Sequence, residues 1–265
     1  MPYRLIASLD RESVMSKKTD INQRTLVTFL LDETGSMESI KDDTIGGFNS
    51  YLSTLRASGT PIDFTLIKFD SRRIEKVCVA VPVDEVKELD AATYQPGAST
   101  PLIDAAYKTI KAVEKSLNGN KPKVIVCIQT DGHENASTEH SWEQLNALIK
   151  EKSAVGWQFN FLGTGIDAYD TGARMGVAAM NTMSTGRAAQ HVRASYAAVA
   201  ESSLAYARGD ASSTQFSMDA RAASGDQYYD KLPGLGSEIL PEPPQAAPRA
   251  QSPKPRHKAV DDFTL

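Results

Sequence analysis

The chain has 265 residues, enough for one large domain or two small ones at roughly 100 to 200 residues each. Its 41% hydrophobic and 23% charged residues match an ordinary soluble protein and exclude collagen-like, wholly disordered and membrane-embedded classes. Twenty-nine Lys and Arg against 33 Asp and Glu leave a formal charge of -4, which gives no global field for nucleic acid or anionic lipid, so a partner has to be recognised locally. No run approaches the ~18 to 20 apolar residues of a membrane span, and the N-terminus lacks the uninterrupted apolar core of a secretory signal. The expected location is cytoplasmic, with no membrane partner.

Residues 1–23 are mixed and polar, and residues 1–14 read as an optional extension ahead of Met15. Thr25–Leu31 (TLVTFLL) is the first continuous β-prone run, as expected of a strand buried on both faces. From Glu38 to Arg56 the apolar residues Ile40, Ile45, Phe48, Tyr51, Leu52 and Leu55 form the stripe of an amphipathic helix. Gly46 and Gly47 lie inside it, which predicts close packing on a neighbour or a kink. Ile62–Phe69 and Ile74–Val81 are the next strands. The four residues between them are too few for a parallel crossover, so the second strand turns back antiparallel and forms a sheet edge.

Leu102–Leu117 reads as a helix, Lys123–Gln129 as a buried strand, the region of Trp142 to Ile149 as a helix and Trp157–Leu162 as a strand. A helix near Ala168–Met175, a weak strand around Ala179–Met183 and a long Ala-rich helix over Arg187–Ala207 complete the alternation. The order predicts an α/β domain over residues 24–208: a doubly wound, mostly parallel, six-stranded sheet with one antiparallel edge strand and helices on both faces. After Gly209 the periodicity fails, and seven of the thirteen prolines fall between Pro233 and Pro255. Residues 209–265 are therefore expected to be a disordered Pro-rich tail, with a basic stretch (Arg249, Lys254, Arg256, Lys258) that could serve a partner as a peptide motif. Cys78 and Cys127 have no Cys or His at ligand spacing and read as buried free thiols.

In an open α/β sheet, ligands sit beyond the carboxyl ends of the strands. Three loops stand out there: Asp32-Glu33-Thr34-Gly35-Ser36 after the first strand, Gly97 to Leu102 before the second main helix, and Thr130-Asp131-Gly132 after the central strand. Taken singly, Thr100-Pro101 is a helix cap, Asp131-Gly132 a turn and Ser36 another cap. Taken together, they supply two carboxylates and three hydroxyls, an all-oxygen set suited to Mg²⁺ or Mn²⁺. Neutral hydroxyl donors leave such an ion with appetite for an anion.

At these residues the sequence resembles the von Willebrand factor type A domain with its metal-ion-dependent adhesion site. The resemblance covers about Arg24 to Ala207 and rests on DETGS, STPL and TDG in that order. It implies a Rossmann-like fold in which Thr34, Ser36 and Thr100 offer hydroxyls to the ion, Asp32 and Asp131 hold it directly or through water, and an open position takes an Asp or Glu carboxylate from a partner protein. The wider stretches IKDDTIGGFN and TDGHENAS resemble stand-alone intracellular members of bacteria and phages. Thr34 departs from the commoner Ser, and Glu33, at a variable position, is expected to face solvent.

His133 reads as a surface residue, Glu134 and Asn135 as loop-shaping groups, and Gly163-Thr164-Gly165 as a turn, since it lacks a full phosphate-loop pattern. The leading expectation is a non-enzymatic, divalent-cation-dependent protein-binding module. The alternatives are a metal-dependent hydrolase or phosphatase built on Asp32, and a scaffold whose C-terminal tail is the recognition element.

Overall fold

The computed structural model describes residues 24–229. The polar arm and the Pro-rich stretch, including its basic cluster, lie outside the described residues. Six strands form one sheet in the order β3-β2-β1-β4-β5-β6: β1 (Thr25–Asp32), β2 (Ile62–Asp70), β3 (Arg73–Pro82), β4 (Lys123–Thr130), β5 (Gln158–Thr164) and β6 (Thr182–Thr185). Every pairing is parallel except β2 with β3, so the short connection forces the antiparallel edge strand the sequence predicts.

All eight residues of β1 are buried because both faces of the sheet are covered. Successive side chains of β1 feed opposite cores. Val27, Phe29 and Leu31 pack with Phe48 and Tyr51 of α1 (Lys41–Ala57) and Tyr196 of α5 (Ala189–Arg208). Leu26 and Leu30 pack under α2 (Leu102–Leu117), α3 (Trp142–Ala154) and α4 (Ala168–Met175). On the first face a Cβ at Gly47 would collide with the Tyr196 ring, so this glycine lets α1 and α5 approach closely. Nothing crowds Gly46, for which the structure offers no comparable reason.

Three expectations need correction. The helix predicted from Glu38 is split: a 3-10 turn over Gly35–Ile40 precedes α1, keeping the loop after β1 tight. The last strand lies at Thr182–Thr185, because Ala179–Asn181 forms a 3-10 turn and the polar residues Thr182, Ser184 and Thr185 are buried. Finally, the stretch after Gly209 is not disordered throughout, since residues 210–229 fold onto the domain. Phe216 enters the first core, Asn160 and Asn181 hold Thr214, and α6 (Met218–Ala223) begins at a Ser217 cap. A single apolar anchor with polar clasps leaves no periodic signature in sequence.

The clasp is a buried Arg221–Asp226 pair. Arg221 also donates to the carbonyls of Thr182 and Met180, while Asp226 accepts from the Tyr169 hydroxyl and from the Ser184 backbone N–H. Ser184 belongs to the edge strand β6, so the clasp satisfies an edge N–H that would otherwise need water.

Candidate functional site

The sheet order reverses between β1 and β4, and the crevice beyond their carboxyl ends holds the predicted residues. Asp32 ends β1, Asp131 follows β4, and both are buried. The oxygens form a chain. Thr100 Oγ1 donates to Thr34 Oγ1 at 3.1 Å, Thr34 Oγ1 lies 3.3 Å from Ser36 Oγ, and Ser36 Oγ donates to Asp131 Oδ1 at 2.5 Å. Asp32 closes the group from below, accepting from Thr34 N at 2.7 Å and Thr130 Oγ1 at 2.5 Å.

Neither Ser36 nor Thr100 caps a helix. The residue before α2 is Pro101 and makes no side-chain cap, so the Thr100 hydroxyl is free to turn into the crevice. Gly132 keeps the space open: a Cβ there would stand 3.0 Å from Thr100 Oγ1 and 3.2 Å from Ser36 Oγ.

The loops are held by backbone bonds around the site. Gly35 N donates to the Ala98 carbonyl, Gly97 N to the Glu33 carbonyl, and the buried Tyr94 hydroxyl to the Asp32 carbonyl at 2.6 Å. The loop after Asp131 is fastened to the start of α2. Asn135 Oδ1 accepts from Thr100 N, and Glu134 accepts from Ile103 N and from Ala136 and Ser137 within its own loop. Glu134 and Asn135 therefore shape the loop as the sequence suggests, and exposed His133 sits on its surface. Asp104 completes the fastening from α2 by accepting from Thr138, Glu139 and His140 N–H groups, a role the sequence reading did not assign.

Glu33 does not face solvent. It is buried and paired with Lys68 at 2.9 Å, and it also accepts from Gln95 N. An acid at this position survives burial because a lysine from β2 lies opposite it. Its charge is thereby neutralised locally and adds little to the crevice.

Asp32 has only neutral partners. Burial pushes its carboxyl up to about 6; hydrogen bonds from Thr130 and Thr34 oppose the rise, and the Asp131 charge adds to it. Asp131 has one cationic neighbour, Arg187, whose Nη2 lies 3.1 Å from Oδ2. The sequence pattern puts Arg187 at the start of the Ala-rich helix; the helix begins only at Ala189, so residues 186–188 form another strand-end loop.

Among the described residues no three His, Cys, Asp or Glu side chains gather into a metal-binding group, so a cation here needs hydroxyl donors. The residues present fit that requirement. Ligands about 2.1 Å from a small octahedral ion lie about 3 Å from one another, and the hydroxyl spacings of 3.1 and 3.3 Å match that edge.

No family model and no curated protein matches the chain. Solved structures match its fold. The pilus adhesin SpaC from Lactobacillus rhamnosus GG aligns with a TM-score of 0.54 at 14% identity, over 67% of this chain and 30% of that one. A von Willebrand factor type A protein from Catenulispora acidiphila aligns at 0.51 and 12%, over 68% and 43%. Proximal thread matrix protein 1 from the mussel byssus aligns at 0.51 and 11%, over 65% and 46%. The chain thus spans less than half the length of each. The fold is von Willebrand factor type A-like, and at these identities the likeness concerns the fold alone.

Proposed function

We propose that the protein is a divalent-cation-dependent protein-binding module whose crevice captures an Asp or Glu side chain of a partner. The observation that carries this reading is the convergence of five oxygen-bearing side chains from three separate loops in one hydrogen-bonded group, with Thr100 and Ser36 beside Gly132. Caps and turns would satisfy their own helices; these hydroxyls bond one another instead. Thr34, Ser36 and Thr100 would hold Mg²⁺ or Mn²⁺, with Asp32 and Asp131 holding it directly or through water. When bound, the ion supplies a site for an anionic oxygen.

The chain's own groups favour binding over catalysis. Lys68 is engaged by Glu33, Glu75 and the Thr93 carbonyl, which leaves it unsuited to clamp a phosphate. His133 is exposed. A cytoplasmic location remains part of this reading. Among the described residues no helix is long and apolar enough to cross a membrane.

Calorimetric titration with Mn²⁺ tests the proposal. One site is expected, weakened about a hundredfold or more by Asp32→Ala or Asp131→Ala. Absence of binding in the unaltered chain would refute it, and phosphate-ester turnover abolished by Asp32→Ala would favour the hydrolase. Removal of residues 230–265, which spares the Arg221–Asp226 clasp, separates crevice binding from recognition by the tail.

A further inference from the structure

Arg187 is a cation already present at the crevice. Its Nη2 donates to Asp131 Oδ2 at 3.1 Å and its Nη1 to Ser39 Oγ at 2.8 Å, from the loop between β6 and α5. The stem crosses Gly165, where φ is +71° and where a Cβ would collide with Arg187 Nε. Gly165 thus opens the path that Arg187 follows. The loop itself is fixed: Gly165 N donates to the Thr185 carbonyl at 2.6 Å and Gly186 N to the Ser224 carbonyl at 3.0 Å. The guanidinium is therefore aimed by the backbone and not merely draped over the surface.

Its exposure is divided. The Asp131 side chain is 0% exposed and that of Arg187 is 45%, so one edge of the guanidinium grips the buried carboxylate while the rest meets solvent at the rim. Two of the five N–H donors of an arginine are used in these bonds, and the fork matches the two oxygens of a carboxylate.

We propose that Arg187 is a specificity-determining residue: it receives one oxygen of the partner's carboxylate while the other would meet the cation held by the crevice oxygens, and its hold on Asp131 loosens the divalent ion. This inference rests on the cation-dependent reading above. The charge balance argues for it. Asp32 and Asp131 bring two negative charges, a divalent ion cancels them, and Glu33 is already matched by Lys68. Arg187 then leaves the loaded crevice with one positive charge, which favours an anion and opposes a cation.

The prediction has opposite signs for the two ligands, which a purely structural role would not produce. Full-length protein, Arg187→Gln and Arg187→Lys would be titrated with Mn²⁺, free ion being read by electron paramagnetic resonance. Acetate would then be added to the loaded proteins while water proton relaxation reports displacement of bound water. Arg187→Gln should bind Mn²⁺ about threefold or more tighter, yet need about tenfold more acetate. Arg187→Lys should hold Mn²⁺ much as the unaltered chain does and fall between the two for acetate, since lysine lacks the fork. Equal behaviour of Arg187→Gln and the unaltered chain, or weakening of both ligands together, overturns the inference while leaving the cation site standing. If none of the three proteins binds Mn²⁺, the cation-dependent reading fails and takes this inference with it.

Discussion

Two Arg–Asp pairs in this molecule use the same chemistry at opposite degrees of enclosure. Arg187 meets Asp131 at 3.1 Å with the arginine 45% exposed, whereas Arg221 meets Asp226 at 3.4 Å with both side chains 0% exposed. The sealed pair is surrounded by further partners: Tyr169, Ser184 and the carbonyls of Thr182 and Met180. Around the open pair there are hydroxyls that bond one another and a glycine that leaves room. An ion pair whose Nη donors and carboxylate are held inside the protein can fix one arrangement of the chain. One that faces water on one side can exchange partners.

The comparison is broken most directly by removing each arginine. Arg221→Met should cost about 3 to 5 kcal/mol, because Asp226 is left buried without its counter-charge and the carbonyls of Thr182, Met180 and Ala179 lose a charged donor. Arg187→Gln should cost about 1 kcal/mol or less, since water replaces the lost partner. Urea unfolding of both variants checks this, and comparable losses would mean that enclosure does not separate the pairs. Glu33 sharpens the point because it adjoins the crevice but belongs to the sealed class. Glu33→Ala should destabilise by about 2 to 4 kcal/mol, leaving buried Lys68 with only the more exposed Glu75 as counter-charge, while Mn²⁺ affinity stays within about threefold. A large loss of Mn²⁺ affinity with little loss of stability would place Glu33 in the site itself.

Much of the open region was legible in the sequence. Asp32, Thr34, Ser36 and Asp131 lie at or just after the carboxyl ends of parallel strands, which share one rim, and Thr100 joins them from the loop that leads into α2. The alternation of strands and helices was legible for the same reason, since each buried strand is a continuous apolar run. What sequence concealed depends on partners far along the chain. Glu33 reads as a surface acid until Lys68 of the neighbouring strand is seen opposite it. The segment 210–229 reads as tail because Phe216 is its main apolar anchor and the rest is held by hydrogen bonds. Arg187 reads as the first residue of the Ala-rich helix because the polar buried residues of β6 weaken its strand signal, and the loop between strand and helix is only three residues long.

Thr100 tests whether open-site residues serve stability at all. Because the Thr100 hydroxyl bonds Thr34 and does not cap α2, Thr100→Ala should cost about 1 kcal/mol, the worth of one buried hydrogen bond. Thr100→Ser, which keeps the oxygen, should restore Mn²⁺ binding that Thr100→Ala loses. Equal Mn²⁺ binding by both variants would show that this hydroxyl is not a donor to the ion.

The smallest effect concerns the fastening behind the open region, and it appears only in acid. Burial tends to raise the Asp104 carboxyl, but N–H groups of Thr138 and Glu139, with the ring and backbone of His140, outweigh it and hold the carboxyl below the usual carboxylate range. The folded protein therefore binds a proton at Asp104 less readily than the unfolded chain does. The resulting stabilisation is complete above the unfolded value of about 3.9 and is lost as pH falls through the lower folded value. Asp104→Asn removes that contribution, so the difference in urea midpoint between variant and unaltered chain should shrink as the pH is lowered below about 4. A difference that stays constant into acid would mean that the loss does not come from the carboxylate's charge, and that the loop carrying Asp131 is held by shape.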